Sequence, residues 1–136
     1  MTVRRCDSRD EDQLREMVRA LLPTEPEYDF ADEVVFVWEE QERLGGFASV
    51  SLRPWSEAVG SMPAPHLEAW YVLPELRRNG IGRALIQAVE QWCLEAGFEE
   101  LGSDAETHNR ISIAAHSAIG FEPNLRVQYF RKRLAR

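Results

Sequence analysis

The chain lacks any apolar run near the roughly 20 residues that a membrane-crossing helix needs; its longest such stretches span a few residues. Its first residues, Met1-Thr2-Val3-Arg4-Arg5-Cys6-Asp7, have no apolar core of the kind a secretory signal carries. Cysteine is scarce. Cys6 and Cys93 are too few for a disulfide scaffold, and neither stands in a zinc-ligand spacing with histidine. Repeats, low-complexity tracts and dividing linkers are also missing, and 136 residues is the length of one domain. The expectation is therefore a single domain over 1–136, cytoplasmic, with both thiols reduced, no metal and no membrane segment. A hydrophobic share of 44% is enough to bury a core, which excludes a disordered chain.

There is no basic excess either. Residues 1–68 hold 15 acids against 7 arginines, a net of −8; residues 69–136 hold 8 acids against 9 bases, a net of +1. A broad basic face is absent, which argues against nucleic acid as a partner. The split suits a protein that takes a cationic ligand on one side and an anionic one on the other, and it serves equally as solubility charge.

Turn and period signals order the chain. Residues 3–6 read as a short strand, and Ser8-Arg9-Asp10-Glu11 has the form of a capping box. Leu14, Met17, Val18, Leu21 and Leu22 follow at helical spacing until Pro23 and Pro26 stop them. Residues 34–38 and 46–52 read as two strands around a turn at 42–45, and 53–65 as a proline-rich loop. Residues 66–73 form a strand closed by Pro74. Ile81, Leu85, Ala88, Val89, Trp92, Cys93 and Ala96 then recur as one helical face, with Gly97 at its exit. Residues 99–102 read as a strand, 109–119 as a helix, and 127–134 as a final strand with Arg and Lys interleaved. The order β-α-β-β-β-α-β-α-β implies an α/β (α+β) fold with a mixed sheet, antiparallel in its meander and parallel across the 66–102 crossover.

The strand and helix around residue 80 are joined by Leu76-Arg77-Arg78-Asn79-Gly80-Ile81-Gly82-Arg83, an Arg-x-x-Gly-x-Gly turn. A helix start offers unpaired N–H groups and partial positive charge, and glycines at 80 and 82 would let a phosphate approach them. A helix start with solvated arginines reads the same residues as well. Gly-Lys-Ser/Thr is missing, so the turn is not a P-loop, and it does not meet the dinucleotide fingerprint.

The stretch Val72-Leu73-Pro74-Glu75-Leu76-Arg77-Arg78-Asn79-Gly80-Ile81-Gly82-Arg83-Ala84-Leu85 resembles the acyl-CoA motif of GCN5-related N-acetyltransferases. The likeness continues through Asn109, His116 and Gly120-Phe121 and covers roughly residues 44–134. Leu67-Glu68-Ala69-Trp70-Tyr71-Val72, Ser103-Asp104 with Asn109, and Phe130-Arg131-Lys132 are most similar to the aminoglycoside 6′-N-acetyltransferases. The resemblance implies a mostly antiparallel twisted sheet flanked by helices, with a central parallel strand pair splayed around acyl-CoA. It implies acetyl-CoA as co-substrate, a small cationic amine as acceptor, and a homodimer. The backbone of Trp70, Tyr71 and Val72 would pair with the pantetheine arm, and the Val72 N–H would polarise the thioester carbonyl. Arg78, Asn79, Gly80, Ile81, Gly82 and Arg83 would hold the pyrophosphate, and Asn109 would touch the pantetheine or acetyl region. Glu68 and Asp104 would bind and deprotonate the amine, and His116 or a water would protonate the departing thiolate.

Each of these residues also has a structural reading. Period-two alternation puts Glu68 on the face of Trp70 and Val72, where a carboxylate needs a partner such as an arginine or water. Asp104 can cap residues 105–109, and His116 can be a hydrogen-bonded core histidine. Trp55, in a proline-bracketed loop, lines a ligand site or folds back on the core. Trp38, Trp92 and Cys93 read as core, with Cys93 inert. Two departures from the aminoglycoside enzymes bear on the acceptor: residues 23–33 are short and proline-broken, and Leu125 stands where those enzymes carry an acidic residue. A polyamine, an amino-acid derivative or a protein N-terminus is the alternative acceptor, and a non-catalytic acyl-CoA-binding module the alternative function.

Overall fold

A computed structural model of the chain describes residues 2–25, 27–124 and 128–135. Four strands, β1 (Thr2–Arg5), β2 (Val34–Glu40), β3 (Arg43–Arg53) and β4 (Ala64–Val72), pair antiparallel in the order β1-β2-β3-β4. Gln41 and Glu42 turn β2 into β3 with φ of 51° and 66°, the left-handed pair whose twist matches a tight hairpin.

Helix α1 (Glu11–Leu21) covers one face of the sheet, setting Met17 and Val18 against Val37, Leu44, Phe47 and Tyr71. Helix α2 (Ile81–Glu95) covers the other, where Ile81, Leu85, Ile86, Val89 and Cys93 pack on Trp38, Ala48, Val50 and Leu67. The four-residue spacing of Ile81, Leu85 and Val89 makes that apolar stripe. Gly80 opens the helix at φ 79° and Gly97 follows it at φ 90°. Helix α3 (Arg110–Ala118) lies nearer the surface and buries no residue completely.

One register shift shapes the site. Ser49 pairs with Ala69 but Val50 pairs with Leu67, which leaves Glu68 as an extra residue in β4, a β-bulge. Alternation is therefore broken: Leu67, Trp70 and Val72 all pack toward α2, while Glu68 turns to the α1 side and meets Ser51 and Arg53. The expectation that Glu68 shares a face with Trp70 and Val72 is corrected by that inserted residue.

Three other expectations change. The expected strand at 99–102 contracts to a single parallel bridge between His66 and Gly102, made by Leu67 N–H to Gly102 O (2.8 Å) and Gly102 N–H to Pro65 O (3.0 Å). Past the bulge, β4 and this segment diverge. The expected final strand, 127–134, starts at Val127, which with Leu125 lies outside the described residues; residues 128–135 form no strand and are exposed. The capping box is built on Asp7 and Asp10 rather than Ser8 and Glu11. The Asp7 carboxylate accepts from Arg9 N–H (3.0 Å), and Asp10 accepts from Asp7 N–H (2.8 Å).

Asp10 takes that place because Arg4 of β1 grips it with both arms at 2.8 Å, while also reaching Glu39 on β2. The Asp10 side chain is 3% exposed. Its pKa is held below the usual carboxylate value by the Arg4 hydrogen bonds, against the opposing pull of burial. Asp10→Asn is expected to lower the unfolding free energy by about 2 kcal/mol at neutral pH, because it removes the charge-assisted bonds to Arg4 and leaves Glu39 as the carboxylate that the guanidinium still holds. The depressed pKa gives stability that is present above the unfolded value of about 3.9 and is lost as pH falls through the lower folded one. Urea titrations should show the wild-type advantage shrinking below about pH 4; an unchanged gap there would contradict the assignment.

Candidate acyl-carrier and acceptor site

Leu73 N–H donates to Gly45 O at 2.9 Å, so strand alternation turns the backbone groups of Trp70 and Val72 away from β3, toward the free edge of β4. On that edge the Val72 carbonyl accepts Arg77 Nε–H (2.9 Å), and Val72 N–H points outward beside it. Tyr71 faces the other way. Its backbone pairs with Phe47 of β3 and its ring lies in the core under α1, so it is not a free-edge residue as expected.

The edge runs directly into the turn before α2. Arg78 takes φ 68° and Gly80 φ 79°, both exposed, and the amides of the first turn of α2 open there. A Cβ on Gly80 would meet nothing within 4 Å, so the space over the helix start is open. Gly82 also packs against a side chain from the neighbouring strand. A Cβ there would lie 3.2 Å from the Trp70 ring, and Trp70 Nε1–H donates to Gly82 O at 3.2 Å. Its missing side chain makes room for the Trp70 indole. Asn79 spends its Nδ2 on the Leu76 and Arg77 carbonyls, shaping the turn. Arg83 donates to Ala118 O (3.2 Å), tying the start of α2 to the end of α3.

Beside the edge, the divergence of β4 from residues 102–104 opens a cleft of about 150 Å³, lined by Leu67 to Trp70, Ser103, Asp104, Ser112 and His116 and closed by Leu21 and Leu22. Glu68 is half-buried in it. Arg53 grips both its oxygens, with Nε to Oε2 at 2.9 Å and Nη2 to Oε1 at 2.7 Å, and the Ser51 hydroxyl donates to Oε2. Burial opposes ionisation, but the Arg53 and Ser51 hydrogen bonds outweigh it and hold the carboxyl below its ordinary value. Asp104 is 77% exposed, and one of its oxygens is held by His66 Nε2 at 3.1 Å. His66 itself is buried, its Nδ1 has no partner, and a Cβ on Gly102 would touch that nitrogen at 3.3 Å. Burial, then the Arg53 charge, push its pKa down. His66 is thus a neutral donor to Asp104.

His116 projects from α3 between Trp70 and Phe121, with ring centroids 5.5 and 5.0 Å away. Its Nδ1 lies 2.7 Å from the Ser112 carbonyl, which can only accept, so Nδ1 carries the proton. Its Nε2 then accepts from the Ser103 hydroxyl at 2.7 Å. The cleft thus brings Glu68, Asp104 and His116 together. Asn109 stays outside it as the N-cap of α3, its Oδ1 accepting from Ser112 N–H (3.1 Å), and Trp55 is 60% exposed on the loop after β3. Arg53, Ser51 and His66 were not singled out by sequence, and Ser103 was quoted there only as part of the Ser103-Asp104 pair, with no role. Arg53 and Ser51 become visible only once the bulge sets the register.

Cys93 is buried and inert, its thiol pushed up to about 11 by burial. Among the described residues no helix is long and apolar enough to cross a membrane, and no three metal-ligating side chains converge.

A strand edge leading into an amide-rich helix start, next to a splayed cleft, is the architecture of an acyl-CoA-dependent transferase fold, and the chain belongs to the acetyltransferase (GNAT) family, whose model matches residues 4–121. Among its relatives are two aminoglycoside N(6′)-acetyltransferases type 1. One, from Klebsiella aerogenes, is 44% identical over 89 residues, covering 65% of this chain and 59% of that protein. The other, from Acinetobacter genomosp. 13, is 36% identical over 126 residues, covering 92% and 82%. The match spans under two thirds of the length of some curated relatives, 59% for the Klebsiella protein and 57% for one from Stenotrophomonas maltophilia. Among solved structures, AAC(6′)-Iy in complex with the bisubstrate analog CoA-S-monomethyl-acetylneamine superposes with a TM-score of 0.83 at 29% identity, covering 98% of each chain. The same enzyme in complex with CoA gives 0.81 at 31% identity, covering 98% of this chain and 100% of that one.

The depressed pKa of His66 predicts a pH effect. Below about 6.5 the unfolded chain takes up a proton that folded His66 refuses, so stability is full above that pH and falls below it. Urea unfolding of the wild type and of His66→Phe should therefore converge as pH is lowered from about 8 to 5. A constant difference across that range would rule out a buried neutral His66.

Proposed function

We propose that the chain is an acetyl-CoA-dependent N-acetyltransferase of a small cationic amine, and that the amine is the 6′-amino group of an aminoglycoside. The observation that carries this reading is the free edge of β4, Trp70 and Val72, running into the left-handed start of α2 beside an acid-lined cleft. The Trp70 and Val72 backbone would receive the pantetheine arm as an added strand. Amides from Arg78 to Arg83 would take the pyrophosphate, with Gly80 leaving the approach open. Bound there, acetyl-CoA supplies an activated acyl carbon, and the outward Val72 N–H would steady the charge that develops on its oxygen. Asn109, outside the cleft at the start of α3, would touch the pantetheine.

Acceptor recognition falls to the carboxylates. Asp104 is exposed, oriented by His66 and free to hold an ammonium group. Glu68 has both oxygens engaged by Arg53, which offsets most of its charge, so its part is to take a proton through water at the floor of the cleft. Trp55 would stack on the acceptor from its loop. An amine attacks only when neutral, so these carboxylates remove the first of its protons before attack.

Homodimer formation belongs to the same reading. Tyr129, Phe130 and Leu134 are 71%, 92% and 83% exposed on residues 128–135, which join no strand among the described residues, and a second copy would cover them. The compartment of action is then the cytoplasm, where acetyl-CoA is available, and the consequence for the cell is aminoglycoside resistance.

Thiol release from acetyl-CoA across an amine panel tests the function. Aminoglycosides with a free 6′-amine should react, and those bearing a 6′-hydroxyl should not; turnover confined to polyamines, amino-acid amides or peptide N-termini would replace the acceptor, and CoA binding with no turnover at all would leave a non-catalytic module. Asp104→Asn should raise the acceptor KM about tenfold, as expected for one charged hydrogen bond, with CoA affinity by calorimetry within about twofold. Glu68→Gln and Asp104→Asn both acetylating at the wild-type rate would refute the carboxylate roles.

A further inference from the structure

An ammonium acceptor must lose two protons on its way to an amide, while the departing thiolate gains one. The carboxylates account for the first loss. The second, from the nitrogen once it has bonded to the acyl carbon, has no receiver yet, and His116 in its resting state has no proton on Nε2 to give to sulfur. We propose that Ser103 is a catalytic residue that connects these two needs: its hydroxyl takes the proton of the attacking nitrogen while passing its own to His116 Nε2, and the same pair then returns a proton to the leaving sulfur. This rests on the acetyl-transfer reading above.

The geometry is specific. The Ser103 hydroxyl lies 2.7 Å from His116 Nε2 and lines the cleft beside Glu68, Trp70 and Asp104. The tautomer that makes Nε2 an acceptor is fixed from behind by the Ser112 carbonyl, 2.7 Å from Nδ1. Ser103 therefore donates inward and keeps its lone pairs for a donor in the cleft, which is where the amine N–H arrives. Trp70 and Phe121 flank the imidazole, and its bonds to Ser103 and to the Ser112 carbonyl hold Nε2 facing the Ser103 hydroxyl.

The balance closes. The amine lone pair forms the C–N bond as the carbonyl π pair moves to oxygen. One N–H proton goes to Ser103 Oγ as the Ser103 proton goes to His116 Nε2, giving an imidazolium. The oxygen pair then re-forms C=O, the C–S pair leaves on sulfur, and the imidazolium proton returns through Ser103 to that sulfur. His116 ends neutral, and no outside oxidant, reductant or base is used.

The test is steady-state thiol release by Ser103→Ala, Ser103→Thr, His116→Gln and the Ser103→Ala/His116→Gln double variant, with CoA affinity and thermal midpoint measured in parallel. General acid–base relays contribute about 10²-fold or more, so Ser103→Ala should lose roughly a hundredfold in kcat with both KM values within about twofold. Ser103→Thr, which keeps a hydroxyl, should recover most of it. Because the two residues act as one unit, the double variant should be no slower than the worse single one. Full kcat in Ser103→Ala, losses that multiply in the double variant, or no recovery by Ser103→Thr when it folds and binds CoA normally would each overturn the relay alone. A wild-type chain that acetylates nothing would overturn the acetyl-transfer reading, and the relay with it.

Discussion

The extra residue in β4 is the constraint on which the site depends. Without it, residues 67, 69 and 71 would share one face of the sheet and Glu68 would sit under α2 with Trp70 and Val72, a carboxylate in an apolar core. The bulge rotates Glu68 to the opposite face, where β3 presents Ser51 and Arg53 at hydrogen-bonding distance. The cost of an interrupted ladder is offset by two charge-assisted bonds from one guanidinium. The same distortion ends the pairing of β4 with residues 102–104 after one bridge. A regular parallel ladder would have closed the edge that the bulge leaves free.

Trp70 carries this distortion into the helices. Its indole lies so near Gly82 that a Cβ there would crowd it at 3.2 Å, hydrogen-bonds that residue's carbonyl, and stands perpendicular to the His116 ring. Arg83 closes the circuit from the start of α2 to the end of α3. The helix that offers amides on one side of the edge and the helix that offers His116 on the other are thus held to one another through the strand between them. A site assembled from three elements needs such ties, because small misplacements of a reacting group are costly in rate.

The elements most legible in the sequence are those whose signals are local. The apolar stripe of α2, bounded by Gly80 and Gly97, and the antiparallel meander follow from period and turn chemistry alone, and the motif around residue 80 stands where strand meets helix. What the sequence hides is set by partners distant in the chain. Ser8-x-x-Glu11 has the better capping pattern, yet Arg4 and Glu39 select Asp10. His66-Leu67-Glu68-Ala69-Trp70 gives no sign of an inserted residue, because the bulge is a property of the pairing with β3. His66 carries no local signal for the same reason: its meaning lies in Asp104, 38 residues on. The segment 127–134 alternates like a strand, but alternation supplies only half a ladder.

The two carboxylates at the cleft illustrate why residue type alone cannot assign roles. Glu68 and Asp104 carry the same charge and face the same space, but Glu68 is ionised because a bidentate arginine makes it so, and that partner cancels most of its field. Asp104 has a neutral donor, His66, on one oxygen and solvent around the rest, so its charge reaches an incoming cation undiminished. Were His66 charged, Asp104 would be neutralised as Glu68 is, and an ammonium acceptor would meet little net attraction. Burial of His66 keeps it neutral. The apolar packing around Gly102 therefore helps to decide the electrostatics of a site that this histidine does not line.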